Sequence, residues 1–372
     1  MFATTEELMV KAAVMYNFFE PLKIESVTLK NPRPDEVVVK LAASGVCHSD
    51  LSVQQAKLPF PPPVILGHEG AGVVEEVGKN VTALKPGDHV VLAWVQACGT
   101  CHFCTLGHEH LCDSAIKAMM EGQEMTFEKD GVGIARMAGV GSFAERTVVR
   151  ASACIKVADE VPLDKACLVG CGVMTGVGAV INTAKVRPGQ TVAVFGCGGV
   201  GLNVIQGAAL SGAATIIAVD VVEPKLTLAR EFGATDTLNG KSVRDVPDAI
   251  RSLTGGVGVD YAFEVIGVPD VITQAFLSVK RGGKAVIVGV PGFDQQATIP
   301  AAALVLEEKG LIGSLYGSAS MRRDMPKLIE LYMGKKLKLD ELISRRIKLD
   351  DVNAAFAAME KGEVARSVIV YA

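Results

Sequence analysis

Nine cysteines occur in the 372 residues, and four of them crowd between Cys98 and Cys112. Cys98, Cys101, Cys104 and Cys112 follow C-x2-C-x2-C-x7-C. Short x2 intervals turn successive thiolates back onto one ion, and the fourth closes a tetrahedron of sulfur around Zn2+. Four sulfurs leave no position for water or substrate, so this zinc would be structural. The flanking Ala97, Gly99, Thr100, Phe103, Glu109 and Asp113 are not basic, which argues against a nucleic-acid-binding zinc ribbon. The formal charge of −4 points the same way, because phosphate neutralisation needs clustered Lys and Arg.

A second constellation is dispersed. Cys47 lies in Gly45-Val46-Cys47-His48-Ser49-Asp50, His68 and Glu69 in Gly67-His68-Glu69-Gly70, and Cys171 in Gly170-Cys171-Gly172. Two thiolates and an imidazole make a three-ligand site, which leaves zinc an open position for catalysis. Asp50 is a candidate acceptor for the remaining ring N–H of His68, fixing its tautomer. Spacing alone does not assemble these residues, since a lone His or Cys is more often packed in a core.

The third constellation is a glycine-rich turn. The apolar run Thr191–Phe195 enters Gly196-Cys197-Gly198-Gly199-Val200-Gly201, and a helical stretch, Leu202 to Ser211, follows. Thr215–Val219 is again strand-like and ends at Asp220, 19 residues past Gly201. This is the G-x-G-x-x-G pattern of a dinucleotide site: glycines admit the pyrophosphate to a helix N-terminus, and the acid meets a ribose 2′-OH. The charge of Asp220 opposes the extra phosphate of NADP, so NAD is the expected cofactor. Lys225 either reaches the ribose hydroxyls or is a solvated surface lysine.

These sites need scaffolds. The length exceeds one ordinary core, and at roughly 150 residues per domain it suggests two or three. With 49% hydrophobic and 21% charged residues a large core is available; 39 glycines imply many turns. Strand-like runs at Glu36–Leu41, Ala71–Val77 and His89–Trp94 dominate the first part, with turns such as Lys85-Pro86-Gly87-Asp88 between them. Later, helical and strand-like runs alternate: Asp245–Leu253, Tyr261–Val265, Pro269–Val279 and Lys284–Gly289. Met1 to Val10 contains Glu6 and Glu7 and lacks a basic segment followed by an apolar one, so no secretory leader is read there. Pro188 to Val219 is uncharged, but six glycines between Thr191 and Val219 suit a strand, turn, helix and strand better than a bilayer span. A cytoplasmic protein with neither membrane nor nucleic acid as partner is expected.

The ordered set of motifs resembles the zinc-containing medium-chain alcohol dehydrogenases, in their long-loop, class I/III-like form. It includes Gly67-His68-Glu69-Gly70-Ala71-Gly72, the four-cysteine lobe, Gly170-Cys171-Gly172, the glycine turn, Phe263-Glu264-Val265-Ile266-Gly267 and Val288-Gly289-Val290-Pro291. The resemblance implies an α/β protein. Residues 1–173 and 316–372 would form a GroES-like β-rich catalytic domain with a zinc lobe at about 95–113. Residues 174–315 would form a Rossmann domain with a doubly wound parallel sheet.

It further implies a reversible transfer of hydride from a primary alcohol to NAD, with two Zn2+ per subunit. Cys47, His68 and Cys171 would hold the catalytic ion, while Glu69 either visits it during ligand exchange or tunes it from behind. Ser49 would move the substrate proton. The relay histidine of animal relatives is replaced by Ser52, and His48 stands where many relatives carry a pyrophosphate arginine, with a possible second part in proton exit. Arg366 aligns with a residue that reaches the cofactor phosphates. Val265, Val288 and Val290 lie on the cofactor side, the latter two by the nicotinamide. Leu58, Phe60 and Trp94 fall at or near pocket walls, although each also suits ordinary packing.

The loop from Asp113 to Ser142 is long, which among relatives goes with a homodimer. One alternative is an S-hydroxymethylglutathione dehydrogenase, weakened because Leu58 occupies the place of an acid that holds glutathione. A zinc-free reductase and a non-catalytic NAD- or zinc-binding protein are the others. One subgroup of the family retains NAD tightly, which leaves open whether the cofactor exchanges.

Overall fold

The computed structural model describes residues 8–121, 124–362 and 365–372. Met1–Glu7, which include the acidic pair read against a leader, lie outside the described residues. The chain divides into two compact units. One comprises Met1–Cys171, Ser320–Gly334 and Leu339–Ala372, the other Gly172–Ala319 and Lys335–Lys338.

The first unit is organised by the strand Glu36–Val46, whose run EVVVKLAASGV is buried at nine of its eleven positions. It pairs antiparallel with Glu69–Val77, Arg146–Arg150 and Arg366–Val370 in a seven-stranded sheet. A strand covered on both faces reads as a continuous apolar run rather than an alternating one. The sequence suggests only Glu36–Leu41. The observed strand continues because Ala43–Val46 finds its ladder partner in Arg366–Val370, more than 300 residues away. Pairing Gly45 with Glu69 sets the ends of the first two strands side by side. A closed barrel of Leu8–Met15, Lys23–Leu29, Met125–Lys129, Val132–Arg136 and Val64–Ile65 completes this unit.

The second unit contains a six-stranded sheet in the order Asp236–Asn239, Thr215–Asp220, Thr191–Phe195, Val259–Glu264, Val279–Ile287, Gly310–Gly313. Every pairing is parallel. In chain order this is 3-2-1-4-5-6, the doubly wound arrangement whose crevice lies where the order reverses, beside Thr191–Phe195. The fold is therefore α/β, a GroES-like β-rich unit and a Rossmann sheet, as the motifs imply. The strand expected at Lys284–Gly289 begins earlier, at Val279, and ends at Ile287. Val279 pairs with Val259 before a register shift sets Lys284 opposite Tyr261. Among the described residues no single helix is long and apolar enough to cross a membrane.

Candidate metal sites and nucleotide turn

The strand Glu36–Val46 delivers Cys47 as the cap of the helix His48–Gln54. The fully buried Asp50, in that helix, accepts the Cys47 N–H through Oδ2 at 2.9 Å and the Gly67 N–H through Oδ1 at 3.0 Å. The same Oδ1 lies 3.0 Å from His68 Nδ1. A carboxylate can only accept, so Nδ1 donates and the Nε2 lone pair remains for a ligand. One acid thus ties the loop carrying His68 to the turn carrying Cys47.

Ligand atoms of Cys47, His68, Glu69 and Cys171 all lie within 4.8 Å of one another, and all four residues are buried. The donor set of two sulfurs, an imidazole and a carboxylate oxygen, supported by Asp50, fits zinc. Hydrogen bonding from Cys171 holds the Cys47 thiol well below the usual range, against burial, with Arg366 and His68 helping. Burial pushes Glu69 up to about 7, although the Arg366 charge opposes this. Arg366 Nη2 stands 3.3 Å from Glu69 Oε1, and its Nη1 is 3.4 Å from the Val46 carbonyl. Gly45 is required here, since a Cβ on it would sit 2.0 Å from Glu69 Oε2. Ser49 Oγ lies 3.8 Å from Cys47 Sγ, and His48 is exposed at the start of the helix.

Cys98, Cys101, Cys104 and Cys112 form the other cluster, again with ligand atoms within 4.8 Å of one another. Here the support is backbone. Cys98 Sγ accepts the amides of Thr100 at 3.5 Å and Cys101 at 3.3 Å, while Cys112 Sγ accepts that of Cys98 at 3.3 Å. The amides of Thr100 and Cys101, with the Thr100 hydroxyl, bring Cys98 down to about 5. Burial and the neighbouring thiols push Cys104 up to about 12, against a backbone hydrogen bond from Gly99. Crowded sulfurs with inward-pointing amides also fit a divalent cation.

In the second unit, Gly198 precedes the helix Gly199–Leu210. A Cβ on Gly201 would lie 1.8 Å from the Gly196 carbonyl, so the turn closes only with glycine there. A Cβ on Gly198 would meet nothing within 4 Å, leaving open space at the helix N-terminus, where free N–H groups suit a pyrophosphate. Val200 lies in the first turn of that helix.

Asp220 ends its strand and binds the backbone: Oδ2 accepts the Cys197 amide at 2.7 Å, and Oδ1 accepts those of Val221 at 2.7 Å and Val222 at 3.0 Å. Lys225 is near enough to Cys197 to counter the upward push that burial gives that thiol. The Val265 side chain lies against Gly196 and Gly201. Val288 N–H donates to the Glu264 carbonyl at 2.8 Å, and Val290 is exposed. Sequence reasoning gave the Glu264 carboxylate no part; fully buried, its Oε1 accepts the amides of Ile266 and Gly267 at 2.9 and 2.8 Å.

The pocket-wall residues separate. Phe60 belongs to the buried core, against which Leu58 and Trp94 pack half-buried. Trp94 also lines a cavity of about 460 Å3 that Ser49, Leu58 and Phe60 do not touch.

A β-rich unit with two compact ligand clusters, and a doubly wound unit with a glycine turn, together define a zinc-binding dehydrogenase. Residues 33–159 match the alcohol dehydrogenase GroES-like domain and residues 199–334 the zinc-binding dehydrogenase domain. The chain is 39% identical to an NDMA-dependent alcohol dehydrogenase of Amycolatopsis methanolica, covering 97% of this chain and 98% of that protein. Its structure is similar to an alcohol dehydrogenase zinc-binding domain protein from Burkholderia ambifaria, with TM-score 0.93, 38% identity and coverage of 99% and 100%. It is also similar to the benzyl alcohol dehydrogenase of Acinetobacter calcoaceticus, with TM-score 0.91, 34% identity and coverage of 98% and 100%. The chain belongs to the zinc-containing medium-chain alcohol dehydrogenase family and is an oxidoreductase of the alcohol dehydrogenase type with a small-molecule substrate.

Proposed function

We propose that the protein oxidises a primary aliphatic or aromatic alcohol to its aldehyde, reversibly, with hydride passing to NAD. The convergence of Cys47, His68 and Cys171 within one buried cluster, oriented by Asp50, carries this reading. Zinc held there would supply Lewis acidity that lowers the pKa of an alcohol, much as it lowers that of water. Ser49, beside Cys47, takes the proton. With Ser52 where relatives carry a histidine, the proton leaves through water or the exposed His48, whose second role in this reading is to bind the pyrophosphate. Glu69 either enters the ligand set during exchange or tunes the ion, with Arg366 balancing its charge before reaching the cofactor.

Gly196, Gly198, Gly199, Val200 and Gly201 cradle the pyrophosphate, Asp220 and Lys225 the ribose, and Val265, Val288 and Val290 the nicotinamide side. The catalytic domain comprises 1–173 and 316–372, the nucleotide domain 174–315, and a second zinc in the Cys98–Cys112 lobe is structural. Exposed Leu304, Val305, Leu306 and Leu311, on and near the edge strand Gly310–Gly313, favour a homodimer.

The test is metal-counted enzyme assayed on an alcohol panel with and without added NAD. NADH formation with benzyl alcohol is expected, and its absence from zinc-loaded protein would overturn the reading. A strong preference for S-hydroxymethylglutathione would replace the substrate class. Because one relative is named NDMA-dependent, an arm with NDMA and no added NAD asks whether the cofactor stays bound through turnover.

A further inference from the structure

In the second unit a single acid holds two segments of backbone together. Glu264 ends the strand Val259–Glu264 opposite Phe195, the last residue before the glycine turn, and is fully buried. Its Oε1 accepts the amides of Ile266 at 2.9 Å, Gly267 at 2.8 Å and Val268 at 3.4 Å, so the chain leaving the strand wraps back onto the side chain. Its carbonyl accepts the amides of Val288 at 2.8 Å and Gly289 at 3.0 Å, which follow the neighbouring parallel strand Val279–Ile287. Five N–H groups from two segments therefore end on one residue. Burial pushes the carboxyl up, and the amides of Gly267, Ile266 and Val268 oppose that push. The other oxygen, Oε2, is buried without a hydrogen-bond partner. An unpaired carboxylate oxygen in the interior costs free energy that an apolar side chain would not, so stability alone does not account for this residue.

The two segments are also pressed together with no room for side chains between them. A Cβ on Gly267 would lie 2.6 Å from the Val290 carbonyl oxygen, and one on Gly289 would lie 2.1 Å from the Gly267 nitrogen. The first segment rests in turn on the glycine turn. The Val265 amide donates to the Phe195 carbonyl at 3.1 Å, and Ile266 Cγ1 would be 2.6 Å from a Cβ on Gly196. Ile266, Val268 and Val290 are nevertheless exposed. Exposed apolar groups on fixed backbone, at the carboxyl ends of adjacent parallel strands, form a surface preorganised for a ligand.

We propose that Glu264 is a positioning residue for the nicotinamide half of the cofactor: through Oε1 and its carbonyl it fixes residues 265–268 against residues 288–290 and so sets the surface that receives the ring. Fully buried, it acts through those two segments rather than by touching the cofactor. This deepens, and rests on, the reading of Val265, Val288 and Val290 as the nicotinamide side. The pyrophosphate and ribose in that reading depend instead on the glycine turn and Asp220, so the two halves of the dinucleotide respond differently to loss of the carboxylate.

The experiment compares Glu264→Ala and Glu264→Gln with the wild type in two measurements. Hydrogen exchange on the cofactor-free protein should be faster in Glu264→Ala at residues 266–268 and also at residues 288–290, although the backbone carbonyl that accepts the Val288 and Gly289 amides is retained. Calorimetry uses NADH and ADP-ribose, which lacks the nicotinamide. Glu264→Ala should weaken NADH by about tenfold relative to ADP-ribose, the scale of one hydrogen bond to a charged group. Glu264→Gln keeps an oxygen for the amides but not the charge, and should show the same selective loss at about threefold. It carries the comparison if Glu264→Ala does not fold. Equal weakening of NADH and ADP-ribose, no weakening of either, or faster exchange confined to residues 266–268 would overturn the inference while leaving nucleotide binding standing. If the wild type binds neither nucleotide, the reading of the cofactor site fails, and the inference with it.

Discussion

The two cysteine-bearing clusters reach the same local density of ligand atoms by opposite routes. Cys98 to Cys112 spans fifteen residues, and its sulfurs are steadied by amides of the same short segment. Cys47, His68, Glu69 and Cys171 meet only because strand register sets Gly45 beside Glu69 and because Asp50 bonds Gly67 and His68 across 17 and 18 residues. The first is built by the chain locally, the second by the fold. That difference separates a module that holds shape from one that needs a finished protein to exist.

Replacing a ligand in each cluster breaks the comparison most sharply. Cys47→Ser should lower benzyl alcohol oxidation by roughly 10³-fold or more, since a metal's charge stabilisation is worth several kcal/mol, and should release one zinc equivalent by elemental analysis while the urea midpoint moves little. Cys112→Ser should do the reverse. It should cost on the order of 3 kcal/mol in urea unfolding, the class of effect that follows loss of a structural metal, with the remaining activity falling only in step with the folded fraction. If both variants lose activity and stability alike, the division of labour between the clusters is wrong.

A smaller effect sharpens the contrast. Asp50→Asn should cost about 10–100-fold in zinc affinity or kcat/KM, the usual range for partners that orient a ligating histidine. Competition with a chelator would show it at the buried cluster and leave the four-cysteine lobe loaded.

The smallest effect concerns Glu124. Its carboxyl sits below the usual range because Arg150, Arg136 and Arg33 outweigh the upward push of burial. A depressed folded-state pKa contributes stability above the unfolded value of about 4.3, and that contribution disappears as pH falls through the folded value. Glu124→Gln should therefore cost on the order of 1 kcal/mol at neutral pH, since two of its arginine partners are solvent-exposed and screened, and the gap between variant and wild type should close in unfolding curves taken well below pH 4.

Legibility followed the same divide. The cysteine lobe and the glycine turn could be read from spacing because their partners are neighbours in the chain. The parallel strands at Thr191–Phe195 and Thr215–Asp220 were plain as short apolar runs on either side of that turn. The second half of Glu36–Val46 was not, because its partner Arg366–Val370 enters from the far end of the chain. Asp50 was visible as a candidate because it shares a short motif with Cys47. The ion-paired Arg33, Glu36, Glu124, Arg136 and Arg150 share no spacing at all, and a buried guanidinium leaves no periodic trace in a strand such as Val132–Arg136. Phe60, named only for lying near the pocket-wall positions Leu58 and Trp94, packs in the buried core, which is the ordinary-packing alternative that the sequence left open for it.

The carboxylate of Asp220 has a consequence for anyone retooling this scaffold. Because it gathers the amides of Cys197, Val221 and Val222, it works as a knot joining the end of one strand to the neighbouring loop. Swapping it for a neutral side chain to welcome a different dinucleotide would untie that knot, so an altered preference has to be engineered together with a replacement acceptor for the three orphaned donors.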